Sequence, residues 1–171
     1  MSGPVGFEAW AELAGDSPTS RTEWAALVAA WSEPHRRYHD LAHLAAVLGL
    51  VGELGAGDLT AVRLAAWYHD VVYDPERADN EEISAQRARA GLRGLVDDDR
   101  VAEVERLVRL TAGHDPAPDD VDGAVLCDAD LAASLAHKGR STILARHTCA
   151  HRVDELLAIE RELAGRSEAV A

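Results

Sequence analysis

Apolar residues recur along this chain at three- and four-residue intervals, the period of helices that lie with one face on a core. Residues 7–14 form a first short run, closed by Gly15. Ser20 and Glu23 have the spacing of a capping box and open a second helix to about Trp31, ahead of Pro34. The clearest pattern is Leu41, Leu44, Val47, Leu48, Val51 and Leu54, which predicts a helix from near Asp40 to Leu54, ended by "GAGD". Asp58 caps the next, from Leu59 to about Asp70, and "VVYDP" reads as a turn. Asp79 with Glu82 predicts a second capping box and a helix to about Leu95. Asp97, Asp98 and Asp99 open another, with Val101, Val104, Val108 and Thr111 on one face. After the loop "HDPAPDD", helices are expected from about Val121 to Ala136 and from about Ser141 to Ala164, before a frayed tail. "VVY" and "AVLC" are the only strand-like pieces, and both are short.

Composition agrees with the pattern. Of 171 residues, 32 are alanine and only 5% are aromatic, which favours helix over strand. The expectation is an all-α chain, of a length suited to one domain, with Trp10, Trp24 and Trp31 in its core.

The net charge is −13, and Lys138 is the only lysine beside sixteen arginines. Such a balance excludes general binding to nucleic-acid polymers or anionic membranes, because both need a basic patch. A small phosphorylated substrate held locally by a metal or by arginine stays open. Cys127 and Cys149 form no disulfide framework and read as reduced thiols in a cytoplasmic protein. A homo-oligomer also stays open.

Histidines and aspartates cluster within apolar segments. His39 and His43 are four apart, so they share a helix face, and His43 lies on the face of Val47, Leu50 and Leu54. An imidazole turned inward needs a partner, which a backbone carbonyl alone can supply. His69 and Asp70 follow the apolar run "LAAWY"; an anion close to a helix C-terminus is more comfortable beside a cation. Asp128 and Asp130 lie inside "AVLCDADLAASLA", where aspartate is out of place unless paired. One divalent metal would explain all three. The competing reading is a structural bundle in which these groups satisfy one another.

Five segments, "RRYHDLAHLAAVL", "AAWYHDVVYDP", "DNEEISA", "LTAGH" and "CDADL", occur in this order over roughly residues 30–131. Together they resemble the HD superfamily of metal-dependent phosphohydrolases, in particular a bacterial family with the motifs YHxxxH, HDxxYD, DNExxSA, TxxH and DADL. The resemblance implies a single HD-type helical bundle with the metal site between central helices. It implies N-terminal helices over 1–30, a catalytic core over 31–137 and a divergent C-terminal helix and tail over 138–171. It implies His43, His69, Asp70 and Asp130 as ligands of a divalent Mn, Co, Ni, Fe or Zn ion, with Asp128 the alternative to Asp130. His39 matches a proton-donating histidine of the related cyclic-nucleotide phosphodiesterases, which implies a proton donor or a phosphate contact. His114 is a second-metal ligand, a phosphate contact or simply a histidine suited to a helix end. Glu81 orients water or belongs to a helix's first turn. Arg36, Arg37 and Tyr73 are the candidates to meet substrate, or in the arginines' case to line a solvated helix entrance. His137, His147 and His151 match no motif and read as surface residues. The activity implied is hydrolysis of a small phosphate ester, a nucleotide or related metabolite. Because "AASLAHKGRSTILARHTCAHRVDELLAIERELAG" departs from the family pattern, a non-catalytic metal- or nucleotide-binding module is the alternative.

Overall fold

A computed structural model describes residues 3–146, 153 and 156–159. Among the residues up to 146, helices follow one another in the order α1 (Phe7–Ala14), α2 (Pro18–Trp31), α3 (Leu41–Leu54), α4 (Leu59–Tyr68), α5 (Asn80–Leu92), α6 (Asp98–Leu110) and α7 (Val121–Arg146). The fold is all-α as expected; among the described residues there is no strand, only an isolated bridge between Arg93 and Val96. "VVY" is a turn after α4, and "AVLC" lies inside α7. No described helix is long and apolar enough to cross a membrane.

The chain divides into two compact units, 1–134 and 135–171. The first holds every residue of the candidate site. At its centre is α4, whose Ala61, Val62, Leu64, Ala65, Ala66, Trp67 and Tyr68 are all buried. The small side chains let neighbours approach closely, and α1, α3, α5 and α6 all pack on this helix. Trp10 and Trp31 are fully buried, and Trp24 packs partly buried against the same core. In the second unit α7 continues to Arg146, and residues 156–159 are helical.

Three aspartate caps form as the sequence predicts. Asp40 accepts the N–H of Ala42 and His43, Asp58 that of Ala61, and Asp97 that of Arg100. Two expected capping boxes do not. The cap of α2 lies three residues before Ser20: it is Ser17, Pro18 takes the first turn, where a missing N–H costs nothing, and Ser17 Oγ accepts the Ser20 N–H at 3.1 Å. Ser20 is instead buried and accepts the Trp10 indole N–H at 2.9 Å, while Glu23 binds Tyr68 and Arg87. Asp79 precedes α5, but its carboxylate is taken by Arg77 at 2.8–2.9 Å, and Glu82 is taken by Arg109. Ion pairing with nearby arginines has replaced capping at both positions. α5 stops at Leu92, short of Leu95, because the chain reverses through Gly94 with φ 77°. The break expected between Ala136 and Ser141 is absent; α7 runs through it. Beyond Arg146 the second expected helix falls largely outside the described residues, as do His147 and His151.

Candidate metal centre

α3 brings the first histidine. Its cap Asp40 holds the His43 N–H at 3.1 Å, which sets the first turn of the helix and points His43 into the core. The His43 ring stacks on Trp31, 6.3 Å between centroids, so one of its faces is dry. α4 brings the second. His69 is the residue that ends the helix, its own N–H bonded to Ala65 O at 2.8 Å. Asp70 therefore lies just past the helix, where the C-terminal dipole would disfavour its charge without a cation. α7 brings Asp130, 6% exposed, whereas Asp128 on the same helix is exposed. Of the two aspartates, it is Asp130 that is buried with the other three groups.

One ligand atom from each of His43, His69, Asp70 and Asp130 lies within 4.8 Å of the others. His43 Nε2 is 3.1 Å and His69 Nε2 3.7 Å from Asp130 Oδ1, and His69 Nε2 is 3.4 Å from Asp70 Oδ2. His69 Nδ1 donates to Ala66 O at 2.8 Å. With Nδ1 committed to that carbonyl, Nε2 is the nitrogen that faces the carboxylates. His43 Nε2, His69 Nε2 and Asp130 Oδ1 are all buried with no hydrogen-bond partner. Such atoms are costly unless something supplies positive charge between them. Two imidazole nitrogens and two carboxylates suit a divalent first-row ion, and the backbone bond to His69 is the kind of support that orients a metal-binding imidazole. The residues fit the ion.

The titration of these groups tells the same story. Burial pulls His69 down, but Asp70 and Asp130 outweigh it and raise it to about 9. Burial lowers His43 and outweighs the opposing pull of the Asp130 carboxylate beside it. Burial raises both carboxyls, yet His69 and His39 hold Asp70 low, and His43 and His69 hold Asp130 far below the usual carboxylate range. The carboxylates demand a cation, and without a metal protons must provide it.

Two further histidines flank the four. His39 Nδ1 is 2.5 Å from Asp70 Oδ2, and His114 Nε2 is 2.7 Å from Asp130 Oδ2. Both remain about a quarter exposed, so the cluster meets solvent beside them. Tyr73 stacks on His39 at 4.7 Å. Thr111, the other half of the "TxxH" segment, is buried and spends its hydroxyl on Val108 O. Glu81 makes no bond to the cluster; it lines a surface cleft of about 240 Å³ with Ala78, Asp79, Glu82, Arg109 and Ala112.

The two arginines part company. Arg37 is exposed and has no partner among the described residues. Arg36 has a fully buried side chain whose donors go to Glu33 and to backbone carbonyls, so in this structure it is no phosphate contact. A buried guanidinium is rare enough that sequence reasoning had no signal for it beyond its place between Trp31 and the histidines. Asn80 and Ser84 hold the neighbouring turn. Asn80 accepts the Asp74 N–H at 3.1 Å and donates to Asp74 O at 2.8 Å, and Ser84 accepts the Val72 N–H at 3.1 Å. These bonds hold the turn that follows His69 and Asp70; the fixed spacing of "YD" and "DNEEIS" was the available signal. Comparison of the chain with protein-family models, with curated proteins and with solved structures finds no match.

Proposed function

We propose that this chain is a metal-dependent phosphohydrolase acting on a small phosphate ester, a nucleotide or related metabolite. The observation that carries the reading is the set of buried, unpartnered ligand atoms on His43, His69 and Asp130, gathered with Asp70 within 4.8 Å. The resemblance of the five ordered motifs to HD phosphohydrolases supports it and supplies the reaction class.

In this reading His43, His69, Asp70 and Asp130 hold the ion. A divalent ion in such a site lowers the pKa of water and offsets charge on a phosphoryl group. The protein's own part is to keep the four ligands dry and oriented. His39 holds its Nδ1 against Asp70, which leaves Nε2 to give a proton to a leaving oxygen. Tyr73, stacked on His39, limits how that ring can turn. Arg37, exposed and without a partner among the described residues, is a cation available to a substrate phosphate.

Elemental analysis of the purified protein, joined to hydrolysis assays on an aryl phosphate and a nucleotide panel, tests the proposal. Loss of bound metal and of hydrolysis in a folded His69→Ala variant supports it; unchanged metal content and activity overturns it. The divergent sequence after Leu131 favours a second reading, a metal- or nucleotide-binding module without turnover. Stoichiometric metal with no hydrolysis across the panel would select that module.

A further inference from the structure

Arg36 is the only buried arginine among the described residues, and the site has a use for it. Its Nη1 donates to the carbonyls of His39 (3.0 Å) and Asp70 (2.8 Å), and its Nη2 to the carbonyl of Val71 (2.9 Å). Nε and Nη2 both reach the Glu33 carboxylate, at 3.2 and 3.1 Å. The guanidinium carbon lies 5.3 Å from the Trp31 ring centroid and 5.6 Å from that of Tyr73. Every side of the group is occupied by protein.

The carbonyls it binds belong to two stretches of turn and bend, residues 33–40 before α3 and 69–72 after α4. Nothing regular positions these stretches against each other, yet His39 and Asp70 must meet across them. Burying a charged group is expensive and is tolerated only with full pairing. A planar fork of donors can bind several carbonyls in a fixed arrangement; an ammonium cannot.

We infer that Arg36 is a positioning residue of the metal centre, clasping the backbone at His39 to the backbone at Asp70 so that the His39–Asp70 bond and the Asp70 ligand atom take their places together. The inference rests on the proposed metal-binding role of Asp70. It assigns Arg36 no contact with substrate or metal.

The test uses the full chain and four proteins: wild type, Arg36→Lys, Arg36→Gln and Glu33→Gln. Binding of Mn²⁺ and Zn²⁺ is measured by calorimetry, well below each protein's melting temperature. The His39 imidazole N–H is followed by NMR in metal-free protein, with His39→Asn to assign it. We expect Arg36→Lys to keep the dispersed spectrum of a folded core, to lose the protected His39 N–H signal, and to bind metal at least ten-fold more weakly, in line with the loss on removing groups that orient metal ligands. Arg36→Gln, which drops the charge, gives a second folded candidate with the same expected losses. Glu33→Gln, which leaves the three carbonyl bonds in place, stays within about three-fold of wild type. A folded Arg36→Lys or Arg36→Gln with wild-type metal affinity and an intact His39 signal overturns the inference. Should wild type bind neither metal, the proposed function fails, while the NMR comparison still decides the role of Arg36.

Discussion

His114 Nε2 bonds Asp130 Oδ2 at 2.7 Å, and His114 reaches it from a left-handed backbone with φ 49°. No other described residue except glycine has a positive φ. A side chain in that region costs about 1 kcal/mol relative to glycine. The backbone explains the place: α6 ends at Leu110, and the N–H groups of Gly113 and His114 return to Leu110 O at 3.2 and 3.0 Å, a helix-ending turn in which glycine would serve as well. Histidine stands there because its ring occupies one oxygen of Asp130 and leaves Oδ1 to face His43 and His69.

Replacing His114 separates strain from function. His114→Gly and His114→Ala lose the same imidazole, so both should bind metal ten- to a hundred-fold more weakly than wild type. Their stabilities should differ: the Gly variant should be the more stable by about 1 kcal/mol, since Ala keeps the strained φ. Urea unfolding of the metal-free variants measures the gap, and a more stable Ala variant would refute the strain.

Asp128 and Asp130 are two residues apart on α7 yet face different surroundings, one exposed and one buried in the cluster. Asp130→Asn should abolish metal binding, and Asp128→Asn should leave it within a factor of two. At a metal concentration about a hundred times Kd, ligand linkage stabilises the folded state by about 2.7 kcal/mol. Wild type and Asp128→Asn should therefore show a higher Tm with metal than with chelator, while Asp130→Asn shows no change. Equal responses from the two variants would remove Asp130 from the centre.

Much of this centre was legible because helix periodicity and burial constrain each other. An inward-facing His43 and an aspartate inside "AVLCDADL" conflict with an apolar core, and such conflicts mark sites. The aspartate caps were legible for a local reason, since Asp40, Asp58 and Asp97 each bond to an N–H within three residues. The longest-range part of what stayed hidden depends on partners far along the chain. Glu82 is diverted to Arg109, 27 residues on, and Arg36 reaches Asp70 and Val71, 34 and 35 residues on. No local spacing records such pairings. Arg36 and Arg37 are alike as sequence neighbours and opposite in burial.

The start of α7, which sets where Asp130 arrives, is fastened by Asp120. Its carboxylate accepts the Gly123 N–H at 2.9 Å and takes Arg106 through both Nη atoms at 2.6 and 3.0 Å. The bonds from Arg106, helped by the Gly123 N–H, outweigh burial and hold the Asp120 carboxyl below its ordinary value. A lowered folded pKa stabilises at pH values above the unfolded value, and the effect fades as pH falls through the folded one. Asp120→Ala should therefore cost about 1 kcal/mol at pH 7, mostly the lost cap, because the half-exposed Arg106 makes the ion pair worth little. The difference from wild type should narrow below the ordinary carboxylate pKa. Thermal melts between pH 3 and 7 check the sign; a gap that widens in acid would contradict it.

Cys127 sits on α7 three residues before Asp130, 2% exposed. Burial, and behind it the charges of Asp130, Asp128 and Asp120, push its thiol up to about 11. Only the thiolate is nucleophilic, so at pH 8 about one molecule in a thousand is in the reactive form, before access is considered. Mass spectrometry after iodoacetamide treatment at pH 8, with peptides mapped to distinguish Cys149, should find Cys127 unmodified in the native protein and fully alkylated in denaturant. Because the same segment carries Asp130, the rate at which Cys127 becomes labelled also reports how often this part of α7 opens. Adding metal should slow that labelling further if Asp130 anchors the helix to the centre, since a ligand that binds only the closed state lowers the open population. Rapid native labelling at pH 8, unaffected by metal, would show instead that this stretch of α7 opens freely and that Asp130 does not tie it down.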